Sequence, residues 1–206
     1  MDLCLQNKVI ILTGNIKSNT ENLIRVLSDE SAILVIAGRK DLEKLNQGIS
    51  DRNIFWIETD LSNPQECKNA VQAVIKKYGR VDGLVNDPGA GSDNAETFLI
   101  GVQKNLVNYY LMTHFVLPYL KTSKGVIVNI GFDTTVTDHG NSSILAASKG
   151  GINALTREWA VELLKYGIRV NAVISKESAE QIAGVVAFLL SGKSSHTTGQ
   201  LIRVSD

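Results

Sequence analysis

Short runs of β-branched residues alternate with longer amphipathic stretches along the whole chain, and this alternation restricts the possible fold strongly. Nearly continuous apolar runs such as AILVIAG and GVIVNIG are typical of strands covered on both faces, as in a parallel sheet between two helical layers. The pattern predicts strands at Val9–Thr13, Ile33–Ala37, Ile54–Glu58, Gly83–Asn86, Val126–Ile130, Ile168–Val173 and Leu201–Val204. It predicts helices at Glu21–Asp29, Pro64–Tyr78, Ala95–Thr122, Ser142–Tyr166 and Ala179–Ser191.

Strands and helices that alternate in this way predict repeated β-α-β units. We therefore expect an α/β fold of three layers, in which a doubly wound parallel sheet of seven strands carries helices on both faces. The sequence contains no repeat, low-complexity tract or linker, so we expect one domain over residues 1–206.

The charge balance narrows the classes of partner. The 206 residues carry 21 basic and 21 acidic side chains, a formal net charge of zero. A nucleic acid or an anionic membrane requires a basic face, so small molecules or further copies of this chain are the expected partners. The first strand follows the N-terminus without a signal-peptide pattern, and the apolar run Val185–Leu190 is too short to span a bilayer. We expect a cytoplasmic protein.

The cysteines show no disulfide pattern, and the histidines show no metal-binding pattern. Cys4 and Cys67 lie in unlike contexts, so we expect reduced thiols. His114 and His196 are isolated from other donors, whereas a metal needs several that converge. No metal site is predicted.

Eight segments, in this order and spacing, resemble the short-chain dehydrogenase/reductase family over nearly the whole chain: KVIILTG, AGRKDL, TDLSNP, GRVDGLVND, GVIVNIG, AASKGGINALTREWAVEL, YGIRVNAV and SHTTGQLIRV. The segments NLVNYYLMTHFVLPYLK and TREWAVELLKYGIRVNAVI are most similar to its L-fucose and sugar dehydrogenase branch. The resemblance implies a Rossmann fold, a nicotinamide cofactor (NAD or NADP) at the carboxyl edge of the sheet, and hydride transfer at a carbonyl or alcohol carbon.

The family's catalytic set is incomplete in this sequence. The resemblance places its lysine at Lys149 and its helix asparagine at Asn105, but puts Leu145 at the tyrosine position and Phe132 at the serine position. Proton exchange with substrate requires a donor or acceptor within hydrogen-bond reach, which hydrocarbon side chains cannot supply. We therefore expect that the family's reaction is lost.

A relocated acid is the alternative at this position. His139, Ser142 and Ser143 precede Leu145, and Tyr109 and Tyr110 follow Asn105 by one helical turn. Each of these also has a structural interpretation, namely an exposed loop and helix cap for the first three and packing on the long helix for the tyrosines. We favour the structural interpretations.

The phosphate-binding loop of the family is altered as well. Its glycine positions correspond to Gly14, Ser18 and Thr20, so two glycines are replaced, and the added β-carbons extend toward the space of a pyrophosphate. Ser18 and Glu21 have the spacing of a capping box, which would occupy the helix-start N–H groups. We expect weakened or lost dinucleotide binding; the alternative is that Lys17 and the remaining N–H groups compensate.

Other cofactor positions are better kept. Arg39, with Lys40, lies where the family distinguishes the adenosine ribose and would favour NADP over NAD, although a solvated basic pair explains it equally. Asp60 and Leu61 match the adenine-contacting pair, and Asp60 has the alternative of a turn or cap residue. The resemblance assigns Asn86 and Gly89 to the Asn-Asn-Ala-Gly segment, in which Pro88 removes a backbone donor.

The family's substrate lid is missing, because ISKESAEQIAG leads from the sixth strand directly into the last helix. Leu155, Trp159 and Leu163 recur every four residues, and we expect this stripe both to pack on the sheet and to face a partner helix in a homo-oligomer. The leading hypothesis is thus a catalytically silent family member with a binding or structural role. The alternative is an active NAD(P)-dependent oxidoreductase on a sugar, polyol or small carbonyl compound; an engineered scaffold is a third.

Overall fold

The computed structural model describes residues 3–14, 18–38, 54–87, 98–132, 143–175 and 179–204. Seven strands form one parallel sheet, in the order β3-β2-β1-β4-β5-β6-β7. Their bounds are β1 Val9–Thr13, β2 Ile33–Gly38, β3 Ile54–Glu58, β4 Gly83–Asn86, β5 Val126–Phe132, β6 Arg169–Ser175 and β7 Leu201–Val204. The predicted α/β fold is therefore confirmed.

Helices cover both faces of the sheet, as the continuous apolar strands require. Their bounds are α1 Ser18–Asp29, α2 Pro64–Tyr78, α3 Phe98–Val102, α4 Asn108–Ser123, α5 Ser143–Glu162 and α6 Ala179–Leu190. Side chains of α2, α4 and α5 form one buried cluster with one face of the sheet. Side chains of α1 and α6 form a second cluster with the other face.

The structure corrects the predicted helix Ala95–Thr122, of which residues 95–97 lie outside the described chain. A π-helical turn, Gln103–Val107, separates α3 from α4. The side-chain Nδ2 of Asn108 donates to the carbonyl of Lys104 at 2.7 Å, and this is the carbonyl that the Asn108 backbone N–H would use in an α-helix. The amide side chain thus interrupts the ladder of α-helical hydrogen bonds. The π-helical turn buries Asn105, whereas Gln103 and Lys104, which precede it, are exposed.

The predicted helix Ser142–Tyr166 also ends earlier than expected. The α-helix ends at Glu162, and a short 3-10 turn, Leu164–Tyr166, is closed by Gly167 in the left-handed conformation. Ser142 lies outside the described residues.

The register of the central strands determines which side chains meet at the carboxyl edge. Thr13 of β1 pairs with Asn86 of β4, and Asn86 pairs with Asn129 of β5. Three polar residues therefore lie side by side across the sheet, in the last row of β1 and β4.

Candidate functional site

The turn after β1 retains the close backbone approach that a dinucleotide loop begins with. Gly14 has φ 123°, a conformation that favours glycine, and its N–H donates to the carbonyl of Ala37 at 3.0 Å. A β-carbon on Gly38 would overlap the carbonyl oxygen of Gly14. Both positions consequently require glycine, and Gly14 lies at the predicted edge.

The start of α1 is described only in part. The helix begins at Ser18, and Glu21 lies in its first turn. Thr20, at the family's third glycine position, is 5% exposed, so protein encloses its side chain. Lys17 and the side chain of Ser18 lie outside the described residues, and the predicted capping box stays a prediction.

The turn after β3 shows a structural role for Asp60. Its Oδ1 accepts hydrogen bonds from the backbone N–H and the hydroxyl of Ser62, at 2.9 and 2.6 Å. Its backbone N–H donates to Glu66 Oε2 at 2.7 Å, while Asn63 caps α2. Leu61 is half-buried against the apolar cluster. The turn interpretation of Asp60 therefore has contacts within the protein, and the adenine-contacting interpretation stays a prediction.

Buried side chains connect the central strands to the helices beneath this edge. Asn86 Nδ2 donates to Asn129 Oδ1 at 3.0 Å and to Thr113 Oγ1 at 3.3 Å. Asn129 Nδ2 in turn donates to Thr156 Oγ1 at 2.9 Å, and that hydroxyl donates to the carbonyl of Ile152 at 2.8 Å. These bonds connect α4 and α5 to the sheet, and Lys149 lies about two helical turns before Thr156 on α5.

The helix α5 places Leu145 one turn before Lys149, and both side chains are half-buried. The α5 segment that contains them packs against α3 and the π-helical turn through one close contact on either side of the pair. A β-carbon on Gly101 would overlap Ile144, and one on Gly151 would overlap Leu106. Asn105 lies in this same packed layer, so the structure brings the α5 segment and the predicted asparagine into neighbouring elements.

Tyr109 has a structural role rather than that of a relocated acid. Its hydroxyl donates to the carbonyl of Ile130 at 2.6 Å, and the residue is 3% exposed within the apolar cluster. Burial, with a smaller contribution from the charge of Asp87, raises the pKa of Tyr109 well above its ordinary value. The interpretation as packing on the long helix therefore holds for this tyrosine.

Tyr110 is exposed and stacks on His114, with ring centroids 5.8 Å apart. Ser143 is the exposed first residue of α5. His139 and Ser142 lie outside the described residues.

Sequence reasoning did not single out Ser148, which directly precedes Lys149. Its side chain is 1% exposed, and its hydroxyl has no hydrogen-bond partner among the described residues. Buried polar groups are nearly always bonded, so this hydroxyl is an exception. A serine on a helix carries no pattern from which its burial could be foreseen.

Several predicted site residues cannot be compared with the structure. Arg39 and Gly89 lie outside the described residues, as does the side chain of Phe132, whose backbone ends β5 opposite Ser175. Among the residues that the structure does describe, no group of three or more acidic, histidine or cysteine side chains could hold a metal.

The connection that would carry a substrate lid is very short. β6 ends at Ser175 and α6 begins at Ala179, so three residues separate the two elements. The fold therefore leaves only residues 176–178 at the position where a substrate lid would be inserted.

Comparisons with known proteins show which proteins share this fold, and that this chain lacks segments that a relative has. Residues 8–178 match the model of the family described as short chain dehydrogenase. The 3-oxoacyl-[acyl-carrier-protein] reductase FabG of Thermotoga maritima is 29% identical, over 97% of this chain and 97% of its own. That alignment runs over 239 positions, more than the 206 residues here, so segments of the relative have no counterpart in this chain.

L-fucose dehydrogenase of Bos taurus is 24% identical over 81% of this chain and 64% of its own length. Among solved structures, Cj0485 dehydrogenase is 29% identical with a TM-score of 0.88, covering 98% of this chain and 94% of that one. The similarity to a reductase and to a sugar dehydrogenase at comparable identity leaves the predicted branch a prediction.

Proposed function

Because the chain belongs to the short-chain dehydrogenase family, we propose that it is a catalytically silent member with a binding or structural role. The observation that carries this proposal is the position of Leu145. A hydrocarbon side chain lies one helical turn before Lys149, where the family's acid/base tyrosine is expected, and it can neither donate nor accept a proton.

The hydroxyl of Tyr109, on α4, does not replace that tyrosine. Tyr109 is buried, its pKa is raised by burial, and its O–H is directed at the Ile130 carbonyl. A general acid needs a pKa near the working pH and access to substrate, and Tyr109 has neither.

A nicotinamide dinucleotide fits this chain poorly. Gly14 keeps the conformation that the loop needs, but the enclosed side chain of Thr20 occupies the layer where the family's third glycine allows close helix–strand packing. Glu21 adds negative charge in the first turn of α1, where a phosphate would be bound. When bound, such a cofactor supplies a hydride. If a dinucleotide binds at all, Arg39 favours NADP.

The short β6–α6 connection supports the same proposal. Three residues cannot cover a substrate, so a ligand at this edge would remain open to water. Water exclusion strengthens the electrostatic contacts on which the reaction depends.

Self-association is the structural role we propose, through the outer faces of α4 and α5. The predicted stripe does not supply it alone, because Trp159 and Leu163 are 6% and 1% exposed and pack on the sheet. Tyr110 and Val161 are exposed at 51% and 76% and would provide contact area. Sedimentation equilibrium should detect a homo-oligomer that Tyr110→Glu and Val161→Glu together dissociate; a monomeric parent protein would refute this role.

The alternative remains an active NAD(P)-dependent oxidoreductase on a sugar, polyol or small carbonyl compound. Lys149 and Asn105 are retained, and the named relatives are reductases or dehydrogenases. A cytoplasmic location is our expectation for either function; among the described helices, none is long and apolar enough to cross a membrane.

Isothermal titration with NADPH, NADH and their oxidised forms separates the two functions at the cofactor stage. We expect no saturable binding at millimolar concentration. The double variant Ser18→Gly/Thr20→Gly serves as the matched control, and a gain of binding there would identify the lost glycines as the cause. Micromolar binding by the parent protein would contradict the proposal.

A further inference from the structure

A cavity of about 550 Å³ lies at the amino edge of the sheet, opposite the carboxyl edge that holds the candidate site. The starts of the central strands line it, at Gly83, Val126 and Arg169. No step of the family's chemistry uses this edge, because the cofactor lies at the carboxyl ends of the strands. The volume is within the range that small-molecule sites have.

The wall of the cavity is largely apolar. Leu164 is 60% exposed and presents hydrocarbon surface at the opening, while the more buried Val126 and Leu190 form the apolar wall behind it. An aromatic or aliphatic body would therefore lose contact with water on entering.

The polar groups at the floor are already paired within the protein. The Asp82 carboxylate accepts from the backbone N–H of Val9 and from Arg80. The Arg169 guanidinium donates to the Leu189 and Ser191 carbonyls at 2.9 and 3.0 Å, and to Ser194 Oγ at 3.0 Å. Neither group needs a ligand to satisfy it.

Two lysines lie at the rim of the cavity, and their charges are less completely neutralised than those of the polar groups at its floor. The stem of Lys124 packs beside Gly167, and no described carboxylate pairs with its ammonium group. Lys8 is 44% exposed and lies 3.6 Å from Asp82, a carboxylate that Arg80 already neutralises. The rim therefore carries uncompensated positive charge beside an apolar wall.

We propose that this cavity binds a small molecule with an apolar body and one anionic group. The body packs on Leu164 and on the wall behind it, and the anion lies between the ammonium groups of Lys8 and Lys124. This site is independent of the proposed function, because its residues lie at the other edge of the sheet.

Two naphthalene dyes test the proposal. The probe is 8-anilinonaphthalene-1-sulfonate, and N-phenyl-1-naphthylamine has the same rings without the sulfonate. Fluorescence titration should show one saturable site for the sulfonate, with a clearly weaker affinity for the neutral amine. Equal affinities would overturn the anionic part of the proposal.

Variants locate the site. Lys124→Asn removes the charge at a residue type that tolerates the left-handed conformation found there (φ 51°), and should weaken sulfonate binding about two- to fivefold. Lys68→Gln, exposed on α2, is the matched control and should leave the affinity unchanged.

Filling the cavity provides the second arm. A β-carbon on Gly192 meets no atom within 4 Å, so Gly192→Phe fits the backbone and should abolish saturable binding. Gly184→Phe, equally open but outside the lining, is the control. Val126→Phe fills the wall from the opposite side and covers the case in which Gly192→Phe fails to fold.

Amide shifts in a two-dimensional NMR spectrum decide where the dye lies. Shifts at Gly83, Gly125 and Gly192 support the proposal. Shifts confined to Gly14 and its neighbours would overturn it, and so would unchanged binding in both filled variants.

Discussion

The thiol of Cys67 shows how burial changes the response of a single side chain to pH. The thiol is buried in α2, with its Sγ 3.5 Å from the Leu61 carbonyl. Burial, with the nearby carboxylates of Asp60 and Glu66, raises the pKa of Cys67 from 9.0 to about 11.

The folded protein keeps this proton between pH 9 and 11, whereas the unfolded chain releases it. The protonated thiol of Cys67 therefore makes its full contribution to the free energy of unfolding below pH 9, and this contribution is lost as the pH rises through 11. We expect the free energy of unfolding to fall by about 2 kcal/mol more between pH 8 and 11 in the parent protein than in Cys67→Ala. Urea unfolding at each pH measures this difference, and parallel curves for the two proteins would contradict it.

The buried amide of Asn129 tests the network beneath the carboxyl edge. Asn129→Leu leaves the Asn86 and Thr156 side chains each without one partner, and should lower the free energy of unfolding by about 2 to 3 kcal/mol. Asn69→Leu on the exposed face of α2 is the control, expected within about 0.5 kcal/mol. Equal effects of the two substitutions in urea unfolding would show that the network is not stabilising.

At the scale of elements, Arg169 fastens the C-terminal end of α6 to the start of β6. Its guanidinium donates to the carbonyl of Leu189, in the last turn of α6, and to that of Ser191, just beyond the helix. Arg169→Gln should cost about 2 to 3 kcal/mol of stability. Lys193→Gln, exposed in the following turn, should be neutral; a neutral Arg169→Gln would show that water serves these carbonyls equally well.

The missing lid predicts the outcome of an attempted restoration. Phe132→Ser with Leu145→Tyr returns both side chains of the family's catalytic set, yet the three-residue β6–α6 connection still leaves the site open. We expect no NADPH-dependent turnover by the double variant, as for Phe132→Ala with Leu145→Phe. Saturable turnover by the first pair alone would show that the lid is dispensable.

For the whole molecule, apolar periodicity was sufficient to predict the sheet. Strands β1 and β3 begin and end at the predicted residues, because a short run of β-branched or aromatic residues marks both the buried β1 and the half-buried edge strand β3. The π-helical turn was not predictable, since it depends on the side chain of Asn108 bonding to a backbone carbonyl. Periodicity contains no information on such a contact.

The site was predictable to a smaller extent. The resemblance placed Asn105, Leu145 and Lys149 on neighbouring elements, and the structure packs those elements together. It did not indicate that Tyr109 is bonded to Ile130, or that Ser148 is buried with no partner among the residues the structure describes, because both depend on tertiary packing.

The measurement that tests the central claim most directly is hydride transfer itself. Purified protein would be incubated with millimolar NADPH or NADH and small carbonyl compounds, and separately with NADP+ or NAD+ and a panel of sugars and polyols. We predict a rate of cofactor consumption equal to that of buffer and of the Lys149→Ala variant. Saturable turnover that Lys149→Ala abolishes would contradict the claim that Leu145 has ended the family's chemistry in this chain.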